Sequence, residues 1–148
     1  MSKTQDVFTL RAKIDELDMM THRIAMKFPR HERHVLAAEV RAIMGNIIRY
    51  EVRASQMQGS ESRRQVRPAA TLDILQRMDA EVGLLKRQIH KAANLDYLKV
   101  QGAKVQGEWS GLTAEVGKLL GSWLKTVEAS VYPFQEKNKA PVKQGLLE

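Results

Sequence analysis

Residues 68–95, PAATLDILQRMDAEVGLLKRQIHKAANL, settle the fold class. Leu75, Met78, Val82, Leu85, Ile89 and Ala92 recur at alternating steps of three and four, which lines one face of an α-helix for three heptads. A half-buried strand would alternate by two, and no part of the chain does so. The rest of the sequence divides around this helix.

Upstream, residues 6–27 place Val7, Leu10, Ile14, Leu17, Thr21 and Ile24 on one stripe that continues to Phe28. Phe28-Pro29 ends this segment, because Pro29 disfavours an α conformation at Phe28 yet suits the first turn of a following helix. The second helix is therefore expected over 29–57, with Val35, Leu36, Val40, Ile43, Met44, Ile47, Ile48 and Val52 on a stripe wide enough for more than one neighbour. Between Gln58 and Arg67 the periodicity stops, which predicts a loop exposing Arg63, Arg64 and Arg67. Downstream, the fourth helix is expected over 104–127, with Trp109, Leu112, Val116, Leu119, Trp123 and Val127 facing the core.

Four helices with mostly short connections predict an all-α, antiparallel up-down-up-down bundle in a single domain, residues 1–128. Residues 129–148, with Pro133, Pro141 and several lysines, read as a disordered basic tail. Gly107, Gly111, Gly117 and Gly121 lie in the fourth segment, and each costs about 1 kcal/mol against Ala in a helix interior. Their spacing of four predicts a face that another backbone approaches closely, or, for the first pair, a loop running to about Trp109. Gly117, Gly121 and Trp123 are the expected packing and oligomer residues, and surplus apolar area on the second helix points to assembly.

Composition excludes several classes. The 148 residues contain no Cys, so there is no disulfide framework and no thiolate zinc site, and a reducing compartment fits. A hydrophobic fraction of 43% is too high for a disordered basic protein. No apolar run reaches the roughly 20 residues of a membrane span, and the first residues form no signal peptide, so the expected location is the cytoplasm, away from membranes. Di-iron bundle enzymes need Glu and Glu-x-x-His projecting inward, and here the apolar seams hold no acidic residue. His31 and His34 have chelating spacing but no third ligand, so they read as solvated side chains, as do the isolated His22 and His90. Phosphate-binding glycine motifs and nucleophile motifs are absent. Neither an enzyme nor a cofactor or metal site is expected.

Leu10-Arg11-Ala12-Lys13-Ile14-Asp15-Glu16-Leu17-Asp18 resembles the opening helix of the all-helical chorismate mutases, in which an arginine at the place of Arg11 holds a substrate carboxylate. The resemblance ends after these nine residues. That family's first helix continues to a second arginine, whereas this one stops at Phe28-Pro29. A mutase is the remote alternative.

Charge is more informative. The formal net charge is +7, and residues 1–57, 58–104 and 105–148 carry +3, +4 and 0 of it. Lys86, Arg87, His90 and Lys91 cluster within two turns of the third helix, off its apolar stripe. On the second helix Arg49 and Arg53 lie one turn apart, with Arg41 eight residues before Arg49 on a nearby face. Lys86, Arg87, His90 and Lys91 with Arg49 and Arg53, supplemented by Arg63, Arg64 and Arg67, form the candidate anion surface, suited to phosphate contacts that are largely blind to base identity. Solubility alone is the competing explanation for the charge.

Thr113-Ala114-Glu115-Val116-Gly117-Lys118-Leu119-Leu120-Gly121-Ser122-Trp123-Leu124 resembles the closing helix of the accessory variability determinant (Avd) proteins of diversity-generating retroelements, with its pattern E-[VI]-G-[RK]-[LM]-L-G-[GS]-W. Phe28-Pro29-Arg30 is similar to that family's turn into its second helix, and Met78-Asp79 with Leu85-Lys86-Arg87-Gln88-Ile89-His90 to its third. Two arginines of that third helix stand here as Lys86 and His90. Neither offers a bidentate fork, and a histidine is ordinarily charged only near or below about pH 6.5. The resemblance implies a four-helix protomer in a pentameric ring. Its basic surface would bind the element's reverse transcriptase and RNA or DNA, supporting mutagenic copying of template RNA into cDNA without catalysis of its own. A related four-helix family, encoded by intervening sequences of bacterial ribosomal RNA genes, is the second reading, and a purely structural interaction module the third.

Overall fold

The computed structural model describes residues 3–59 and 68–132, so Arg63, Arg64, Arg67 and the tail from residue 133 lie outside the described residues. Four α-helices, α1 (Lys3–Met26), α2 (Leu36–Gly59), α3 (Pro68–Asn94) and α4 (Val105–Val131), form a four-helix bundle with no strand among the described residues. Each packs on its neighbours in sequence, and α1 packs on α4 to close the square. No helix among the described residues is long and apolar enough to cross a membrane.

On α3 all six predicted stripe residues are buried, and on α1 so are Leu10, Ile14, Leu17, Thr21 and Ile24, followed by Phe28 in the turn. Two boundaries differ from the sequence reading. α4 runs through Val131, so residues 129–131 are helix and not tail. α2 begins at Leu36 rather than at Pro29. Pro29 has ψ 146°, which is extended, and a short 3-10 turn, Arg30–Glu32, follows it. The detour lets Phe28 and Leu36 both enter the core while Glu32 turns inward. Its Oε1 accepts the Tyr97 hydroxyl at 2.9 Å, and its Oε2 accepts the Leu36 amide at 3.4 Å, covering a first-turn donor of α2. Val35 and Val52, expected on the buried stripe, are exposed, and only Ile48 of that outer rank is half-buried.

The link from α3 to α4 is equally specific. Tyr97 N donates to Ala92 O and Asp96 N to Ala93 O, the paired bonds of a Schellman cap, with Asp96 at φ 60° in the left-handed position. The cap swings Tyr97 back onto Phe28, whose ring also meets Trp109, at centroid distances of 5.7 and 6.4 Å. A second 3-10 turn, Lys99–Gln101, precedes Gly102, whose φ of 113° and ψ of 154° lie in a region that only glycine occupies without strain.

Trp109 is fully buried, and its Nε1 donates to Thr21 Oγ1 at 2.9 Å, tying α4 to α1. Trp123 is also a core residue, but its Nε1 is buried without a partner among the described residues. The α4 seam is Trp109, Thr113, Val116, Leu120 and Trp123, so Leu119, Leu112 and Val127 pack at its flanks instead of its centre.

The expectation of acid-free seams is overturned by Glu51. It is only 2% exposed, and it accepts from Arg11 Nε at 2.7 Å. The hydrogen bond and then the charge of Glu51 raise the Arg11 pKa further above its ordinary value. Arg11, the residue to which mutase resemblance would assign a substrate carboxylate, already holds a carboxylate of its own chain.

Close approach at the α4 glycines is not found within the protomer. A Cβ added at Gly107, Gly111 or Gly121 would meet nothing within 4 Å, and one at Gly117 would make ordinary contacts of 3.6 Å with Val82 and Lys86. The loop alternative for the first pair also fails, since Gly107 is already inside α4.

Two stability predictions follow from these contacts. Gly102→Ala should lower the unfolding free energy by about 1–3 kcal/mol through backbone strain. Gly111→Ala should raise it by up to about 1 kcal/mol, and urea titration of both variants checks the opposite signs. Arg11→Met should cost roughly 2 kcal/mol, below the range for a fully buried pair because Arg11 is half in solvent. Adding Glu51→Met should restore most of the loss, and a double variant as unstable as the single one would show that the ion pair is not what the site needs.

Candidate nucleic-acid interface

The four α3 residues Lys86, Arg87, His90 and Lys91 are all exposed, while Leu85, Ile89 and Ala92 between them are buried. Helical spacing therefore carries this cluster onto the outer face, as read from the sequence. Arg87, His90, Lys91, Asn94 and Leu95 line a shallow surface depression of about 400 Å³. Lys86 reaches the other way, over α4. Its Nζ lies 3.6 Å from the point where a Cβ on Gly117 would stand, so the missing side chain leaves the ammonium room beside Val82.

The opposite flank of α3 is turned to α2 and is spent on pairing. Gln88 Nε2 donates to Glu39 Oε1 at 2.8 Å, and Asn46 Nδ2 donates to Glu81 Oε1 at 3.2 Å. The two pairs are seven residues apart on each helix and run in opposite order, which fixes the register. Arg49 is then level with Met78, about 12 Å along the bundle from Lys86 at 1.5 Å per residue. Arg49 and Arg53 are both exposed, but they stand apart from the α3 cluster and do not extend it. Arg49 is also engaged locally, donating to Asn46 Oδ1 at 2.6 Å and lying 3.4 Å from a Cβ position on Gly45. The two groups expected to share one anion surface are thus offset by about 12 Å along the bundle.

His31 and His34 do not share a helical turn. His31 sits in the 3-10 turn, edge-on to Tyr97 with ring centroids 6.1 Å apart, and His34 is in the bend before α2. Among the described residues no three His, Asp or Glu side chains converge as a metal site.

A second depression, of about 340 Å³ between α1 and α4, is lined by Ala12, Asp15, Glu16, Met19, Met20, Arg23 and Leu112. Nearby, Lys13 bridges Glu16 and Glu115, each at 3.2 Å, and those carboxylates raise its pKa. This flank mixes apolar side chains with two carboxylates and one guanidinium, unlike the wholly basic α3 cluster.

Sequence reasoning did not find the pairing of Glu39 with Gln88 and of Asn46 with Glu81 between α2 and α3, although both carboxylates fall on the flank of an apolar stripe, where a polar residue meets a neighbouring helix. It also had no signal for Lys86 crossing Gly117, which depends on the relative height of two helices. No curated protein and no solved structure matches the chain. A family model described as bAvd-like matches residues 8–127. That stretch takes in all four helices, the seams that hold them and the exposed α3 cluster, and the chain belongs to the bAvd-like family.

Proposed function

We propose that this protein is a non-catalytic accessory factor of a diversity-generating retroelement. It acts in the cytoplasm, binding the element's reverse transcriptase and its RNA or cDNA, and so supports mutagenic reverse transcription. The family match over residues 8–127 is the observation that carries the reading. The exposed cluster of Lys86, Arg87, His90 and Lys91 supports it, because it offers phosphate contacts on a rigid helix.

The antiparallel up-down-up-down order belongs to the same proposal, and the opposite-running Glu39–Gln88 and Asn46–Glu81 pairs support it. So does assembly into a pentameric ring. Among the described residues nothing lies within 4 Å of a Cβ placed on Gly107, Gly111 or Gly121, which leaves that strip of α4 open to another copy. Gly117, Gly121 and Trp123 remain the residues proposed for that contact, with Trp123 fixing the helix from the core side.

Light scattering after gel filtration should give a mass near five times the 16.8 kDa protomer. A single-stranded RNA of mixed sequence should bind at low salt and be released as salt rises. Lys86→Ala/Arg87→Ala/Lys91→Ala should reduce the slope of log K against log salt by about 2, since each phosphate contact on a single strand contributes roughly 0.7. Unchanged affinity and slope would remove the α3 site. Failure of the unaltered protein to bind RNA at low salt would remove the nucleic-acid reading itself.

A further inference from the structure

We propose that the end of the bundle where α1 turns into α2 and α3 turns into α4 is a second phosphate-binding surface, taking the backbone of a single-stranded nucleic acid. The proposal rests on the nucleic-acid reading above and places most of the electrostatic attraction elsewhere than on the α3 face.

Residues 22–35 and 90–104 contain seven Lys and Arg against two Asp and Glu, so these two stretches carry +5 of the chain's +7. They are far apart in sequence, and the fold brings them to one place. Tyr97 donates to Glu32 at 2.9 Å, Gln101 Nε2 donates to Ile24 O at 3.2 Å, and His31 packs edge-on to Tyr97. Lys27, Arg30, Arg33, Lys91, Lys99 and Lys104 are all exposed there. None of the six pairs with a carboxylate among the described residues, so their charge is left to the solvent side of this end.

The two carboxylates are already subtracted in that +5. Glu32 accepts from Tyr97 and from the Leu36 amide, so both of its oxygens are turned to the protein. Asp96 holds the left-handed position of the α3 cap. Unpaired cations confined to one end of a low-dielectric bundle create a local field that charge spread over the surface for solubility would not. Met26, Val35, Leu95 and Val100 are exposed within the same two stretches.

The test uses the full chain and a mixed-sequence single-stranded RNA, with binding measured across a salt series. Lys27→Ala/Arg30→Ala/Arg33→Ala/Lys99→Ala should keep its helicity, since all four side chains are exposed, and should lower the salt slope by nearly 3 at roughly 0.7 per lost contact. Affinity at low salt should fall at least tenfold. Arg30→Lys/Arg33→Lys, which keeps the charge, should retain the slope of the unaltered protein. Loss of slope in that variant would mean that side-chain shape rather than charge is read, and would overturn the proposal. Unaltered affinity and slope in the four-site variant would also overturn it. If Lys86→Ala/Arg87→Ala alone weakens binding, the α3 reading stands and this one falls. If the unaltered protein binds no RNA, both fall together.

Discussion

The bundle depends most on burying Trp109 without stranding its indole N–H. The ring has no exposed surface, and an unpaired donor in that position would cost about 1–3 kcal/mol. Thr21 supplies the acceptor from α1, and Thr113 Oγ1 bonds back to the Trp109 carbonyl at 2.8 Å, so neither hydroxyl is itself unpaired in the core. Around the indole, Phe28 arrives from one connection and stacks against Tyr97 from the other. Both connections are therefore fixed by the same cluster. The detour of the chain after Pro29 and the left-handed cap at Asp96 follow from the need to deliver these two rings.

Polar contacts then decide how the helices sit against one another. Apolar seams alone tolerate sliding by a heptad, because leucines and valines at equivalent positions differ little. Glu39–Gln88, Asn46–Glu81 and Arg11–Glu51 remove that freedom, since a slip of one turn would leave the buried Glu51 carboxylate and half-buried carboxylates and amides unpaired. Their net contribution to stability is small, because pairing must first offset desolvation. Their contribution to register is larger, and the position of every outward side chain depends on it.

The division between what the sequence revealed and what it hid follows from this. Apolar periodicity is a local property, so α3 and α1 could be read residue by residue. Helix existence was equally plain for α2 and α4, but their ends were not. Pro29 is as compatible with an extended residue as with a first helical turn, and the choice was made by Phe28, Leu36 and Glu32 acting across the core. Glu51 was missed because a carboxylate on an apolar stripe looks like a surface position until its partner, forty residues away, is known. The α4 glycines show another limit: spacing of four suggests a groove, and among the described residues no neighbour enters it at Gly107, Gly111 or Gly121. The α3 cluster was legible, since all four residues lie off one stripe. Its separation from Arg49 and Arg53 was not, because helix register is set by pairs no single segment contains.

The chemistry of the cations bears on what kind of recognition the proposed function allows. Lys86 and His90 stand where the resembling family has arginines, and neither can grip a phosphate through two parallel hydrogen bonds. Lys86 keeps its charge but lies across Gly117, on a flexible stem with a single ammonium. A surface built of such point charges attracts a phosphate chain without fixing its orientation, so affinity would be governed by salt and local phosphate density more than by base sequence. At the end of the bundle Lys27, Lys91, Lys99 and Lys104 have the same character, while Arg30 and Arg33 carry guanidinium forks. If the protein accompanies a polymerase as proposed, that looseness would serve it: a protein that read bases would bind one stretch and stay there, whereas one that reads charge could be displaced as copying proceeds.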